Sequence, residues 1–226
     1  RNVAGYSTES VTQHTFAMLF YLLEKLPYYD RYVKDEKYIG DKMFTHFDKH
    51  FGELAKMTWG IIGLGNIGKR VADIAKAFGC RVIYYSTSGR NSQPGYERVS
   101  FEELLKESDI VSVHAPLDEN TLDLMNKEAF HQMKKTAIFL NLGRGPIVVE
   151  EDLAEALEQD EIAAAGLDVL RVEPMSPENP LRRIKDSEKL LITPHIAWAS
   201  VEARTRLMEI ICGQIQEFFS NGSPES

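Results

Sequence analysis

From Thr58 onward, short apolar runs alternate with segments whose apolar residues recur every three or four positions. This is the rhythm of repeated strand–helix–strand units, because parallel strands are buried on both faces and read as continuous hydrophobic runs. The runs predict strands over 58–64, 80–86, 109–115, 136–142, 162–169 and 190–195, and helices over 66–78, 101–106, 127–132, 150–158 and 200–219. Six strands with intervening helices make an α/β fold with a doubly wound parallel sheet, whose ligands sit beyond the carboxyl ends of the strands. Upstream of Thr58 the texture differs. Residues 11–26 are apolar on nearly every face, follow N-cap candidates at 7–10, and are expected to form a covered helix that Pro27 stops. Residues 28–56, studded with Tyr28, Tyr32, Phe44, Phe47 and Phe51, keep no sustained period and read as an irregular arm.

The strongest local motif is GLGNIG, running from Gly63 to Gly68 between a predicted strand and a predicted helix. In this setting Gly63 allows a tight turn, Gly65 lets a pyrophosphate approach the main chain, and Gly68 permits close helix–strand packing. The helix amino end, starting at Asn66 and Ile67, adds unpaired N–H groups and a positive dipole. A dinucleotide is the implied ligand; the competing explanation is a glycine-rich turn that binds nothing.

Composition narrows the function classes. The chain has 226 residues, 43% hydrophobic, enough for one well-buried core or one domain with an appendage. A formal net charge of −8 argues against nucleic acid as a partner. Cys80 and Cys212 are too few and too far apart for a disulfide framework or a zinc site, so no metal is expected and a reducing, cytoplasmic setting fits. The apolar stretch at 16–23 is too short to span a bilayer, so no membrane association is expected. The first residue is not Met, and the chain is expected to be a fragment.

Four stretches together resemble the D-isomer-specific 2-hydroxyacid dehydrogenases: NVAGYSTESVTQHTFA, WGIIGLGNIGKRVA, NLGRGPIVVEEDLAEAL, and GLDVLRVEP followed by LLITPHIAWAS. The wording EPMSPENPL and PHIAWAS is closest to the glycerate dehydrogenase and hydroxypyruvate reductase branch. The resemblance implies a Rossmann-type nucleotide-binding domain and hydride transfer between a nicotinamide cofactor and a small 2-keto acid or D-2-hydroxy acid. It implies a catalytic trio of Arg144, Glu173 and His195, each following a predicted strand. The chemistry of the three is apt: a histidine supplies the proton for a developing alkoxide, a carboxylate holds its other nitrogen and favours the charged imidazole, and a guanidinium grips a substrate carboxylate with its planar fork. Gly143 and Gly145 leave room around that arginine. Ala115 and Pro116 resemble the family's ribose-facing turn, Asp168 its nicotinamide-carboxamide acceptor, and Trp198 a substrate-side aromatic. For Asp168 the rival role is capping a loop, and for Trp198 core packing. His14 and His114 are left out of catalysis.

Under this reading residues 1–196 form the dinucleotide-binding domain, including the N-terminal helix and a dimer arm at 6–56. Residues 197–226 form a helix returning toward a substrate domain that is mostly absent here, so the chain alone is expected to bind cofactor better than it turns over substrate. A homodimer is expected. Cofactor choice turns on VIYYSTSGR, because the ribose-binding acid of the family falls at Ser86. Without that carboxylate a 2′-phosphate is not repelled, and Ser86, Thr87, Ser88 and Arg90 offer donors, so NADPH as well as NADH is expected. Rival readings are an NAD(H)-sensing corepressor-type binding protein of the same fold, formate dehydrogenase, which carries glutamine where Glu173 stands, and a domain with a vestigial nucleotide site.

Overall fold

The computed structural model describes residues 3–220. The outer ends of the two expected ranges, 1–2 and 221–226, lie outside the described residues. Seven strands form one all-parallel sheet: β1 (Thr58–Ile62), β2 (Arg81–Tyr85), β3 (Glu97–Arg98), β4 (Ile110–Val113), β5 (Ile138–Asn141), β6 (Ala164–Leu167) and β7 (Leu190–Ile192). Their spatial order is β3-β2-β1-β4-β5-β6-β7. The order reverses between β1 and β4, and there the carboxyl ends of the strands open a crevice. The six expected strands are present, each a residue or more shorter than its apolar run. β3 was missed because its two residues are exposed at the sheet edge and give no apolar signal.

Helices cover both faces: α1 (Thr8–Leu23), α2 (Leu26–Lys34), α3 (Asn66–Ala77), α4 (Phe101–Glu107), α5 (Lys127–Gln132), α6 (Glu150–Glu158) and α7 (Val201–Ser220). Successive strand residues point to opposite faces, so Ile61 packs with α1 and α3 while Ile62 packs with α4, α5 and α6. α3 buries Gly68, Val71, Ala72 and Ala75, one helical stripe set against the sheet.

Two expectations about the amino-terminal region need correction. α1 is not apolar all round: it buries Val11, Thr15, Met18, Leu19 and Leu22, while Gln13 and Ala17 are exposed. Its cover is this chain's own sheet and α3, so it calls for no other partner. Nor does Pro27 stop a helix. α1 ends at Leu23, Lys25 turns the chain through a left-handed conformation, and Pro27 sits in the first turn of α2, where its missing N–H costs nothing. The arm is therefore part helix, and it folds on itself. His46 stacks on Tyr32 with centroids 3.7 Å apart, and its Nε2 lies 2.8 Å from the Tyr28 hydroxyl. Phe44, Phe47 and Phe51 remain exposed on it. Among the described residues no helix is long and apolar enough to cross a membrane.

Candidate active site

The glycine turn leads from β1 into α3, and its three glycines have separate structural reasons. Gly63 has φ 90, and a Cβ there would lie 2.7 Å from the backbone of Ala115. Gly68 would drive a Cβ to 2.2 Å from the Gly63 carbonyl, so only glycine lets the helix sit this close to the turn. At Gly65, the N-cap of α3, nothing lies within 4 Å of an added Cβ. That position faces open space. Beside it, the N–H groups of the helix's first turn have no intrahelical acceptor, so the cradle fits a dinucleotide pyrophosphate. Asn66 is exposed at the mouth, Ile67 is half-buried against the core, and Ala115 and Pro116 continue the wall from the end of β4.

The loop after β2 closes beside this turn. Ser86 is 3% exposed, and its hydroxyl oxygen accepts the Asn91 N–H at 3.2 Å. Asn91 Nδ2 then donates to the Leu64 carbonyl at 2.7 Å, fastening the loop to the glycine turn. Ser88 and Arg90 stand exposed at the tip, with Thr87 half-buried. Arg98 joins them from β3, its Nη2 4.0 Å from where a Cβ on Gly89 would be. Sequence reasoning missed Asn91 and Arg98; recognising the short edge strand would have brought Arg98 to the loop.

At the far side of the crevice the structure brings Glu173 and His195 together, with His195 Nδ1 2.7 Å from Glu173 Oε2. Glu173 Oε1 accepts the Leu170 N–H at 2.7 Å. Burial pushes the Glu173 carboxyl up, but the Leu170 N–H, His195 and the nearby Arg144 outweigh burial and hold it below its usual value. It stays ionised near neutrality, as a group that orients an imidazole must. With Nδ1 engaged, Nε2 is the ring nitrogen left for a substrate. A cavity of about 520 Å³, lined by Glu173, Met175, Ile192, Pro194 and His195 among others, adjoins the pair.

Arg144 is exposed after β5, its Nη1 donating to the Gly143 carbonyl at 2.8 Å. Its glycine neighbours do more than leave room. A Cβ on Gly145 would fall 1.8 Å from the Leu170 carbonyl, so the Arg144 loop presses directly on the segment that carries Glu173. Glu150, at the start of α6, steadies that segment from below by accepting the Arg171 N–H at 2.7 Å and Asn179 Nδ2 at 2.8 Å. Glu150 also escaped the sequence analysis, since its partners lie 21 and 29 residues away in the chain.

Asp168 lies under the His195 turn with both carboxylate oxygens occupied. Oδ1 accepts from Thr193 Oγ1 at 2.6 Å and the Ile196 N–H at 2.9 Å, and Oδ2 accepts the Ala197 N–H at 2.9 Å. It is 2% exposed. These three bonds cap the turn that carries His195. Trp198 packs edge-on to Tyr6, centroids 6.4 Å apart, and against the core beside α1. His114 faces Ser112 Oγ at 3.1 Å, its Nδ1 is shielded without a partner among the described residues, and burial pushes it down to about 3. It carries no charge to donate near neutrality.

Residues 16–197 match the family described as D-isomer specific 2-hydroxyacid dehydrogenase, NAD binding domain. The chain is 38% identical over 228 residues to a hydroxypyruvate reductase from Blautia hydrogenotrophica, covering 99% of this chain and 69% of that protein. It is similar to the D-lactate dehydrogenase of Aquifex aeolicus solved with NAD and lactic acid, at 29% identity and TM-score 0.87 over 97% of this chain and 68% of that one. An acyclic imino acid reductase solved with NADPH and D-arginine matches at 31% identity and TM-score 0.84, over 96% and 66%. The chain thus spans about two thirds of the length of these relatives. With its glycine turn, all-parallel sheet and Glu173–His195 pair, the chain belongs to the D-isomer-specific 2-hydroxyacid dehydrogenase family, whose members are NAD-dependent oxidoreductases, and it carries that family's NAD-binding domain.

Proposed function

We propose that the protein reduces a small 2-keto acid of the hydroxypyruvate or glyoxylate type to the D-2-hydroxy acid, and runs the reverse oxidation. The observation that carries this reading is the 2.7 Å contact between His195 Nδ1 and Glu173 Oε2 on the same crevice as the glycine turn. When bound, the nicotinamide cofactor supplies the hydride. Gly63, Gly65 and Gly68 with the amino end of α3 hold its pyrophosphate. His195 Nε2 delivers the proton to the oxygen that develops charge at the reacting carbon, while Glu173 holds the ring's other nitrogen and favours the imidazolium. Arg144 binds the substrate carboxylate through its two-pronged guanidinium, a fit that an ammonium cannot copy. The relation to a hydroxypyruvate reductase supports the substrate class.

NADPH is accepted alongside NADH. Ser86 replaces a carboxylate that would face the 2′-phosphate; two unit charges ~5 Å apart at an effective dielectric near 20 repel by about 3 kcal/mol. Thr87, Ser88, Arg90 and Arg98 supply donors and positive charge around the same point. The similar fold solved with NADPH adds support.

The protein works in the cytoplasm as a homodimer built through the arm, whose Phe44 is 90% exposed and Phe47 61% exposed. Light scattering at micromolar concentration is expected to report twice the subunit mass; a monomer alone would end the dimer proposal.

A panel of 2-keto acids assayed with NADH and with NADPH on the full-length gene product tests the function. Turnover of at least one small keto acid, giving the D isomer, is expected. Tight cofactor binding with no turnover of any keto acid would point instead to a cofactor-sensing protein.

A further inference from the structure

Helix α1 passes beneath the turn that carries His195, and two residues one helical turn apart reach that turn from the same face. Ser10 Oγ donates to the Ala197 carbonyl at 2.5 Å. His14 Nε2 lies 3.0 Å from Thr193 Oγ1 and 3.6 Å from Asp168 Oδ1. Proton bookkeeping sets the direction of these bonds. Both oxygens of Asp168 serve as acceptors, and at 2.6 Å Thr193 spends its single hydroxyl hydrogen on Oδ1. The Thr193 oxygen is then left as an acceptor, and His14 must carry its proton on Nε2 and donate it. The chain of bonds runs from His14 to Thr193 to Asp168, whose oxygens also receive the N–H groups of Ile196 and Ala197.

His195 sits inside this bracket with φ 54, and its own N–H donates to the Asp168 carbonyl at 2.9 Å. A left-handed conformation is unfavourable for a residue with a side chain and persists only where its surroundings enforce it. Asp168 and Thr193 are the enforcing groups, and His14 is the group that fixes the Thr193 hydroxyl.

We propose that His14 is a positioning residue for the proton transfer: through Thr193 and Asp168 it keeps the 193–197 turn in the one conformation that aims the His195 ring at Glu173 and the substrate space. The proposal rests on His195 being the proton donor. Nothing local in the sequence marks this link, because His14 and Thr193 lie 179 residues apart.

The test uses the full-length protein with His14→Leu, His14→Gln, Thr193→Val and the double variant His14→Leu/Thr193→Val. Glutamine places an amide N–H where the imidazole Nε2–H stands. His14→Leu is expected to lower kcat for keto-acid reduction roughly 10-fold to 100-fold, the scale of a small misplacement of a catalytic group. KM for the keto acid and Kd for the cofactor should stay within about twofold, the pattern of a lost transition-state interaction. His14→Gln should recover most of the rate. Thr193→Val should match the leucine variant, and the double variant should be no worse than either alone, because both cut one path. A kcat for His14→Leu within about twofold of wild type, or additive losses in the double variant, would overturn the proposal. If His14→Leu does not fold, Thr193→Val and His14→Gln carry the same contrast. His195→Ala separates this inference from its parent: turnover surviving in that variant removes the proton-donor reading itself, whereas turnover lost there but kept in His14→Leu removes only the positioning role.

Discussion

At the β6–β7 end of the crevice, Asp168 is 2% exposed and accepts three hydrogen bonds from the turn around His195, whereas at the β2 end Ser88, Gly89 and Arg90 stand exposed at the tip of their loop. One end is braced from beneath by a buried carboxylate. The other is fastened at its base, by Ser86 and Asn91, and left open at its tip. Under the proposed function, the difference follows from what each end has to do. Proton transfer needs a ring held to within a fraction of an ångström, so its supports are buried and engaged. Choosing between two cofactors that differ by one phosphate needs only charge and donors within reach, and exposed side chains in water provide those at low energies. Changes at the first end should therefore damage rate, and changes at the second should shift preference.

The largest effect below that of His195 belongs to Arg144. Arg144→Lys keeps the charge but loses the fork, and keto-acid reduction is expected to fall roughly 100-fold in kcat/KM while cofactor affinity holds. Equal kcat and KM in that variant would remove Arg144 from the substrate site.

A smaller effect is expected at the open end. Ser86→Asp returns a carboxylate to the ribose side, and the NADPH-to-NADH ratio of specificity constants should drop at least roughly tenfold, a fraction of the Coulomb limit because solvent screens the loop. Removing the charge at Arg98 should move the ratio the same way, by less. An unmoved ratio in Ser86→Asp, or a wild type favouring NADH tenfold or more, would contradict the proposed role of this loop.

Those two ends were not equally readable in the sequence. GLGNIG, the apolar strands, and the placement of Arg144, Glu173 and His195 just beyond strands were legible because each is a local pattern: a strand, a glycine or proline, and a side chain at its end. The supports were not legible. Asp168 was visible as a residue, yet its three bonds come from a turn 25 to 29 residues away. Glu150 looks like any acid at a helix start until Arg171 and Asn179 fold onto it. β3 is two exposed residues, and α1 was misjudged because aromatic and aliphatic side chains on its flanks obscured a helix that is one-sided once Gln13 and Ala17 are seen to face solvent. Pro27 was misread for a different reason, since a proline that ends one helix and a proline that begins the next differ only in the residues before it.

The most direct test of the central claim, that the cofactor is held at the glycine turn while the chemistry belongs to the braced pair, is to measure His195→Ala for both properties at once. Fluorescence titration should find Kd for NADH and NADPH within about twofold of wild type, and steady-state keto-acid reduction should fall ~10²–10⁴-fold, the range for losing a positioned proton donor. Turnover within about threefold of wild type would contradict the claim, because no general acid worth the name is lost at so small a cost.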